Sequence, residues 1–308
     1  MKIIPQYLIL SLLTLVSLPL PAQGWQADIE QYFNKVRSKT YPALPANAFS
    51  EQNERGVLSF INPYLTDSST AVATKAHEIY YAISSKSDDV SIRTLGVQTL
   101  LRACSQADRE ITGTVLDLVI QFNKDDFTLA AKDSVRKLVK NENHHLEELM
   151  KIAAFLDLKD LIPDIRPYSQ PGNQPSKRWA AIISLARMGE SSAIAEMMKR
   201  IRKLPMNDNL VYNIFPDLVF THRPEAIAFL VEELGSNERN CLSADIEREV
   251  RIPCGYRIME QLAPVIGGFP FDLDESGDLK TSNYPAALAT VRQWFSDHNT
   301  YVILNRRY

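Results

Sequence analysis

The spacing of apolar residues constrains the fold of this chain more than any other feature of its sequence. Apolar side chains recur at intervals of three and four in residues 92–104, again in 127–139 and again in 179–188. These intervals place them on one face of an amphipathic helix. No run of alternating apolar and polar residues is long enough for a sheet. The sequence therefore predicts an all-α fold.

Partner helices are predicted between these segments, so that the chain forms antiparallel helix hairpins. Asp88 and Asp89 precede one helix as candidate caps, and Asn207 or Asp208 precedes another. That second helix meets Pro216 in its interior, which removes a hydrogen bond and predicts a kink. The predicted partner helices cover residues 111–122, 145–156, 192–204 and 224–234.

The best-formed hairpin covers residues 177–189 and 190–198. Gly189 can adopt the left-handed conformation that ends a helix, and Ser191 or Ser192 can cap the helix that follows. The hairpin resembles a HEAT repeat, in which a basic residue opens the first helix, small alanines allow close helix contact, and a glycine closes it.

Related units begin at irregular intervals of 32 to 50 residues, around the period of a HEAT repeat. They start near Ser91, Thr128, Arg178, Leu210 and Arg251. The resemblance covers about residues 88–268 and points to exported bacterial proteins with HEAT repeats. It implies an α-α superhelix, the HEAT-like solenoid. The alternative is an irregular helical domain without a true repeat.

Residues 1–24 have the three parts of a secretory signal peptide: a basic start, an apolar core and an exit of small residues. A membrane anchor is the alternative, and it needs about 20 predominantly apolar residues. The strongly apolar part here, residues 8–20, is shorter. We expect cleavage after Ala22 or Gly24, no membrane insertion after cleavage, and a periplasmic or secreted protein.

Prolines divide the remaining chain into two halves. Residues 25–162 are predicted to form N-terminal helical repeats, and residues 177–308 C-terminal HEAT-like repeats. Residues 163–176 between them contain four prolines and are predicted to be a non-helical connection. A last helix at 285–298 is expected to cap the open end of the stack.

Cysteine usage agrees with export. Cys104 lies on an apolar helix face, which favours a buried, unpaired thiol. Cys241 and Cys254 enclose a polar connection, residues 242–253, that has little apolar surface to hold it. An oxidising compartment permits a disulfide there. The sequence therefore predicts the bond Cys241–Cys254.

Histidines give two weak candidates for a metal site. The run from His77 to Tyr81 begins like a zinc-protease helix, but Tyr81 replaces the second histidine, which excludes that site. His144 and Glu148 share a helix face, but a zinc site needs three or four ligands. We predict neither a metal nor a cofactor from these residues.

The acidic run at residues 272–279 resembles part of a calcium-binding loop. Asp272, Asp274 and Asp278 provide carboxylates, but Asn283 replaces the bidentate glutamate of an EF-hand. The alternative is a turn rich in aspartate and glycine, or a short hairpin. The sequence leaves open whether these three aspartates hold a calcium ion.

Charge gives no indication of a nucleic-acid partner. The formal net charge is −3, whereas nucleic-acid binding normally requires strong basicity. The dense basic cluster at residues 199–203 falls in the last turn of a predicted helix, where positive charge offsets the helix dipole. An anionic partner is the alternative explanation for this cluster.

Three functions are compatible with the sequence. The resemblance to HEAT proteins implies a non-catalytic scaffold that binds a protein or peptide, and the binding residues are not specified. The alternatives are an immunity or inhibitor protein against an exported toxin, and an enzyme related to HEAT-like lyases that attach chromophores. The chain contains no Gly-x-Ser-x-Gly elbow, phosphate loop or dinucleotide fingerprint, so the prediction is that it is not an enzyme.

Overall fold

The computed structural model describes residues 24–40, 42–45, 54–105, 109–141, 144–243, 250–304 and 308. The predicted signal peptide lies outside the described residues except for Gly24. The described chain is mostly helical, with many packed neighbouring helices, which confirms the all-α prediction. Within it, no helix is long and apolar enough to cross a membrane.

The α-helices follow one another with short connections, and a few turns of 3-10 helix lie between them. In chain order they are α1 Gly24–Arg37, α2 Glu54–Ile61, α3 Thr70–Ser84, α4 Val90–Cys104, α5 Arg109–Val119, α6 Leu129–Lys140, α7 Leu146–Phe155, α8 Ile162–Ile165, α9 Pro175–Arg187, α10 Ser191–Ile201, α11 Asp208–Asn213, α12 Phe215–Thr221, α13 Pro224–Leu234, α14 Gly255–Leu262 and α15 Tyr284–Asp297. A short antiparallel strand pair, β1 Cys241–Leu242 and β2 Arg251–Ile252, joins α13 to α14.

Two of the predicted helix caps are present. The Asp89 side chain accepts a hydrogen bond from the backbone N–H of Ser91 at 2.8 Å. The Asn207 side chain accepts one from the backbone N–H of Leu210 at 3.1 Å. Each bond satisfies a donor that the first helical turn leaves without an intrahelical partner.

The end of α9 confirms one prediction and corrects another. Gly189 has a φ of +97°, the left-handed conformation expected there. The residue that precedes α10 is Glu190, without a side-chain cap, and the helix already begins at Ser191. The prediction that Ser191 or Ser192 caps α10 is therefore wrong. Glu190 instead accepts a hydrogen bond from Arg166 at 2.7 Å, which ties the start of α10 to the preceding segment.

Pro216 breaks its helix rather than only kinking it. Helix α11 ends at Asn213 and α12 begins at Phe215, with Ile214 between them at φ −112° and ψ −40°. Pro216 then occupies the first turn of α12, where its missing N–H loses no intrahelical hydrogen bond.

The proline-rich connection at 163–176 contains helix, contrary to the prediction. Pro163 lies in the first turn of α8, and Pro167 in the first turn of a 3-10 helix at Arg166–Ser169. Prolines at these positions do not oppose helix formation, because the first-turn N–H groups have no helical acceptor. Helices α7 and α9 pack directly on each other across this connection.

The buried side chains that the structure describes form two clusters. The smaller comes from α1, α2, α3 and the start of α4, and the larger continues from α3 through α15. Helices mostly contact partners close to them in sequence: α4 packs on α3, α5 and α6, and α9 packs on α7, α10 and α12. The core is therefore built stepwise along the chain.

The segment after α15 returns to the larger cluster. The backbone N–H of Gly267 donates to the Val302 carbonyl, and that of Leu304 donates to the Val265 carbonyl, both at 2.8 Å. Tyr301 contacts Trp294 and Phe295 of α15, with ring centroids 6.3 and 5.3 Å away. The last helix and this extended segment thus pack together against the larger cluster.

Candidate functional site

A large cavity lies between α7, α12, α14 and the extended segment after α15. Its volume is about 1000 Å³, the size of a ligand-binding pocket. We call it the large cavity. Its apolar lining is contributed by Pro216, Val219, Phe220, Pro264, Val265 and Leu304.

An ion pair forms one side of the large cavity. The Lys151 ammonium on α7 lies 2.6 Å from a carboxylate oxygen of Asp217 on α12. The other oxygen of Asp217 accepts a hydrogen bond from the indole N–H of Trp179 on α9, also at 2.6 Å. Both side chains of the ion pair are largely shielded from water, at 25% and 15% exposure. The three helices therefore hold this carboxylate in one position.

A buried arginine supports the floor beside the cavity. Arg187 is 6% exposed, and its guanidinium lies over the rings of Phe155 and Phe220, 5.4 and 4.3 Å from their centroids. It donates a hydrogen bond to the Phe220 carbonyl. Burial lowers the pKa of Arg187 to about 10, so it remains charged at neutral pH. The contacts with the two aromatic faces partly offset the cost of burying this charge.

Tyr308 inserts its ring into the same aromatic floor. Its centroid lies 5.8 Å from that of Phe155 and 4.9 Å from that of Phe220. Burial raises the pKa of the Tyr308 hydroxyl well above its usual value, so it stays protonated. Part of the chain's own last segment therefore fills one edge of the large cavity.

Two further polar side chains complete the lining. Gln261 of α14 donates from its amide nitrogen to the Val211 carbonyl at 2.9 Å, which fixes its orientation. His222 has the left-handed conformation, with φ 51° and ψ 29°, at the end of α12. A left-handed backbone at a residue other than glycine is uncommon and often occurs at functional sites.

The residues considered for a metal site do not converge. His144 precedes α7, which begins at Leu146, so the predicted shared helix face with Glu148 is absent. The neighbouring His145 places its Nδ1 atom 3.9 Å from a carboxylate oxygen of Glu148. In the described ranges, no group of three or more histidine, cysteine, aspartate or glutamate side chains is placed to hold a metal ion. His77 is buried in α3.

The acidic run forms a tight turn. One carboxylate oxygen of Asp274 accepts hydrogen bonds from the backbone N–H groups of Ser276 and Asp278, at 2.9 and 3.1 Å. Leu273 and Leu279 pair as a short antiparallel bridge, and Gly277 has a φ of +88°. Local hydrogen bonds of this kind account for the aspartates and glycine as a hairpin.

The disulfide is present as predicted. Cys241 and Cys254 are bonded, and their Cα atoms are 5.1 Å apart. The bond closes the strand pair β1–β2 and leaves Cys104 as a buried free thiol. Burial raises the pKa of that thiol to about 12, so it is not ionised at neutral pH. A disulfide is compatible with an oxidising compartment outside the cytoplasm.

Two of the four basic side chains in the cluster at residues 199–203, Arg200 and Arg202, form ion pairs. Arg200 lies 2.8 Å from Glu196 one turn earlier, and Arg202 lies 3.2 Å from Glu232 on α13. The Arg202 guanidinium also covers the ring of Phe229 at 5.4 Å. These contacts support the structural interpretation of the cluster.

Sequence reasoning did not find the residues of the large cavity. Lys151 and Asp217 are 66 positions apart, and no motif connects them. The signal that the sequence does contain is Pro216, which breaks the helix and begins α12 beside Asp217. The residues come together only because α7, α9 and α12 pack against one another.

Compared with known proteins, the chain matches no protein-family model and no curated protein sequence. The resemblance to HEAT repeats therefore stays a prediction.

Proposed function

We propose that this protein is an exported, non-catalytic scaffold of HEAT-like repeats whose large cavity binds an extended peptide segment of a partner protein. The observation that carries the proposal is the cavity itself: it is of ligand size, mostly apolar, and edged by an extended segment of the same chain.

The helix contacts support a solenoid. Packing between helices close in sequence, as α4 shows with α3, α5 and α6, is the pattern of a repeat protein in which each unit contacts its neighbours. Solenoids commonly use extended inner surfaces to bind peptides and proteins. The Cys241–Cys254 disulfide supports export, since such bonds persist mainly in oxidising compartments.

The chain's own last segment supports a peptide as the ligand. Backbone hydrogen bonds at Gly267 and Leu304 hold residues 302–304 in an extended form along the cavity. The Val302 and Leu304 side chains remain 67% and 43% exposed beside it. Tyr308 adds an aromatic side chain to the floor. Peptides are commonly bound in this way, through backbone hydrogen bonds for affinity and side-chain pockets for specificity.

The polar groups of the cavity favour binding over catalysis. Lys151 and Asp217 satisfy each other, and Trp179 satisfies the second carboxylate oxygen. A general base or nucleophile is normally held within hydrogen-bond reach of a second catalytic group and kept accessible to substrate. The ion pair is instead held in a fixed position by three helices, which suits the recognition of a bound peptide.

The test is selection of displayed random peptides on the purified protein, followed by measurement of the affinity of each enriched peptide. Enriched peptides should share a bulky apolar side chain. In Val219→Trp the larger ring fills the cavity, and we expect affinity to fall at least about tenfold, equivalent to about 1.4 kcal/mol. Thermal melts show whether the variant is folded.

Leu129→Trp is the matched control, because Leu129 is 78% exposed at the start of α6, away from the cavity. Peptide affinity should be unchanged in this variant. Equal affinity in the Val219→Trp and Leu129→Trp variants would exclude the large cavity as the binding site.

A further inference from the structure

A groove with aromatic walls lies near the start of the described chain, between α1, α2 and the 3-10 turn at Asn62–Thr66. Its volume is about 690 Å³, and its apolar lining includes Trp25, Phe60, Pro63 and Tyr64. It shares no lining residue with the large cavity. We call it the aromatic groove.

Contacts between the rings fix the shape of the aromatic groove. Trp25 and Phe60 meet edge to face, with ring centroids 5.5 Å apart and planes at 84°. The centroids of Phe60 and Tyr64 are 6.4 Å apart. Tyr64 in turn stacks at 4.1 Å on Phe33, which is fully buried. The three rings are therefore anchored to the core, while each of them stays partly exposed.

Several polar groups of the lining have no partner within the described part of the chain. The Trp25 indole N–H makes no hydrogen bond there, and neither do the side chains of Gln26, Ser59 and Tyr64. None of these atoms is buried, so a ligand can reach them. Burial and then the nearby Glu30 carboxylate raise the pKa of Tyr64, so its hydroxyl stays protonated and can donate. The groove thus combines apolar ring faces with unused hydrogen-bond donors.

One carboxylate of the lining is not compensated by a positive charge. Glu30 of α1 is exposed and forms no ion pair with any basic group that the structure describes. Arg37 and Asp67, which also act on Tyr64, neutralise each other at 2.5 Å. The aromatic groove therefore attracts a ligand that carries a positive charge.

We infer that the aromatic groove binds a proline-rich segment of a partner protein in the polyproline II conformation, with a basic residue beside Glu30. Polyproline II has no internal hydrogen bonds, so its carbonyls can accept from donors such as the Trp25 indole and the Tyr64 hydroxyl. Proline-rich segments bind grooves lined by aromatic rings, and their preformed conformation loses little entropy on binding. An α-helical ligand would leave these donors unused, because most of its carbonyls already accept within the helix.

The test is selection, on the purified protein, of displayed peptides that have a fixed Pro-x-x-Pro core and random flanks. Enriched peptides should carry arginine or lysine on one flank. The most enriched peptide, measured by fluorescence anisotropy, should bind with a dissociation constant below about 1 mM. Replacing its two core prolines with alanine should weaken binding at least about tenfold, because the polyproline II conformation is then no longer preformed.

Tyr64→Phe removes only a hydroxyl that bonds no described residue, so the variant should fold, and peptide affinity should fall about threefold. Tyr212→Phe is its matched control, because Tyr212 is 53% exposed on α11, and it should bind the peptide as the wild type does.

Glu30→Gln removes the charge of the aromatic groove. The variant should no longer enrich peptides with a basic flank, and its affinity should depend less on salt, because salt screens the attraction between charges. Glu225→Gln is the matched control, since Glu225 is exposed in the first turn of α13, and it should keep both properties.

Four results would overturn the inference. They are no enrichment of any peptide, equal affinity after the core prolines are replaced, wild-type binding in both Tyr64→Phe and Glu30→Gln, and binding of cellohexaose in the absence of peptide binding, which would assign the groove to sugars. The inference is independent of the large cavity, because Val219→Trp should bind the proline-rich peptide normally.

Discussion

Replacing Trp179 with phenylalanine removes one hydrogen-bond donor while keeping most of an aromatic ring at the same place. The indole N–H donates to Asp217 at 2.6 Å, and this carboxylate is 15% exposed. Hydrogen bonds to charged groups contribute about 1.5–3 kcal/mol. Asp217 keeps Lys151 as a partner, so we expect a loss of about 2 kcal/mol in the free energy of unfolding.

Trp179→Ala removes the ring as well. The total loss in the free energy of unfolding should reach about 3–5 kcal/mol. The part of this loss that exceeds the loss in Trp179→Phe comes from the packing of the ring against the core. The comparison of the two variants thus separates the hydrogen bond from the apolar contact. Both are measured by urea unfolding, in which a lower midpoint at an unchanged slope reports a change in stability.

Two controls make the interpretation specific. Trp294→Phe changes a partly buried tryptophan whose N–H makes no hydrogen bond to any described residue, so it should cost clearly less than Trp179→Phe. Asp217→Asn, made in the wild type and in Trp179→Phe, should give a coupling energy of about 1–2 kcal/mol. Wild-type stability in Trp179→Phe would refute the argument that this bond fixes the side of the large cavity.

Three further predictions concern processing, the disulfide and pH. Mass spectrometry of the native protein should find its first residue at Gln23 or Trp25, and an intact Met1 in a membrane fraction would contradict export. Non-reducing peptide maps should recover Cys241 joined to Cys254, iodoacetamide should label Cys104 only after unfolding, and replacing the bonded pair with alanines should cost about 3 kcal/mol in the chain-entropy model. The stability that His77 contributes by staying neutral is present above about pH 6.5 and is lost as the pH falls toward its lowered folded-state pKa, because the unfolded chain then binds a proton that the folded chain excludes. Between about pH 5 and pH 8, the free energy of unfolding should therefore rise less steeply with pH in His77→Phe than in the wild type, by up to about 1.4 kcal/mol per pH unit. An identical slope in the two proteins would contradict this prediction.

Local sequence determined the helices and several of their ends. Apolar spacing is a property of a single helix, and the caps at Asp89 and Asn207 and the turn at Gly189 use neighbours within three residues. The disulfide was predictable for a related reason: a polar connection between two cysteines has few other means of being held. These predictions needed no knowledge of how distant helices meet.

The errors arose where local signals were ambiguous. Four prolines predicted a non-helical connection, but proline in a first turn is compatible with helix, and Pro163 and Pro167 both occupy such turns. Ser191 is of a residue type that often caps helices, and as the cap it would precede the first helical residue. Helix α10 instead begins at Ser191 itself, and Glu190 takes the cap position.

Tertiary structure alone decided where the large cavity lies. Lys151 and Asp217 meet because α7 and α12 pack around α9. Periodicity shows which side of a helix is buried, but it does not show which other helix covers that side. A site built from residues on separate helices depends on which helices pack together, and this is determined by the packing of the whole chain.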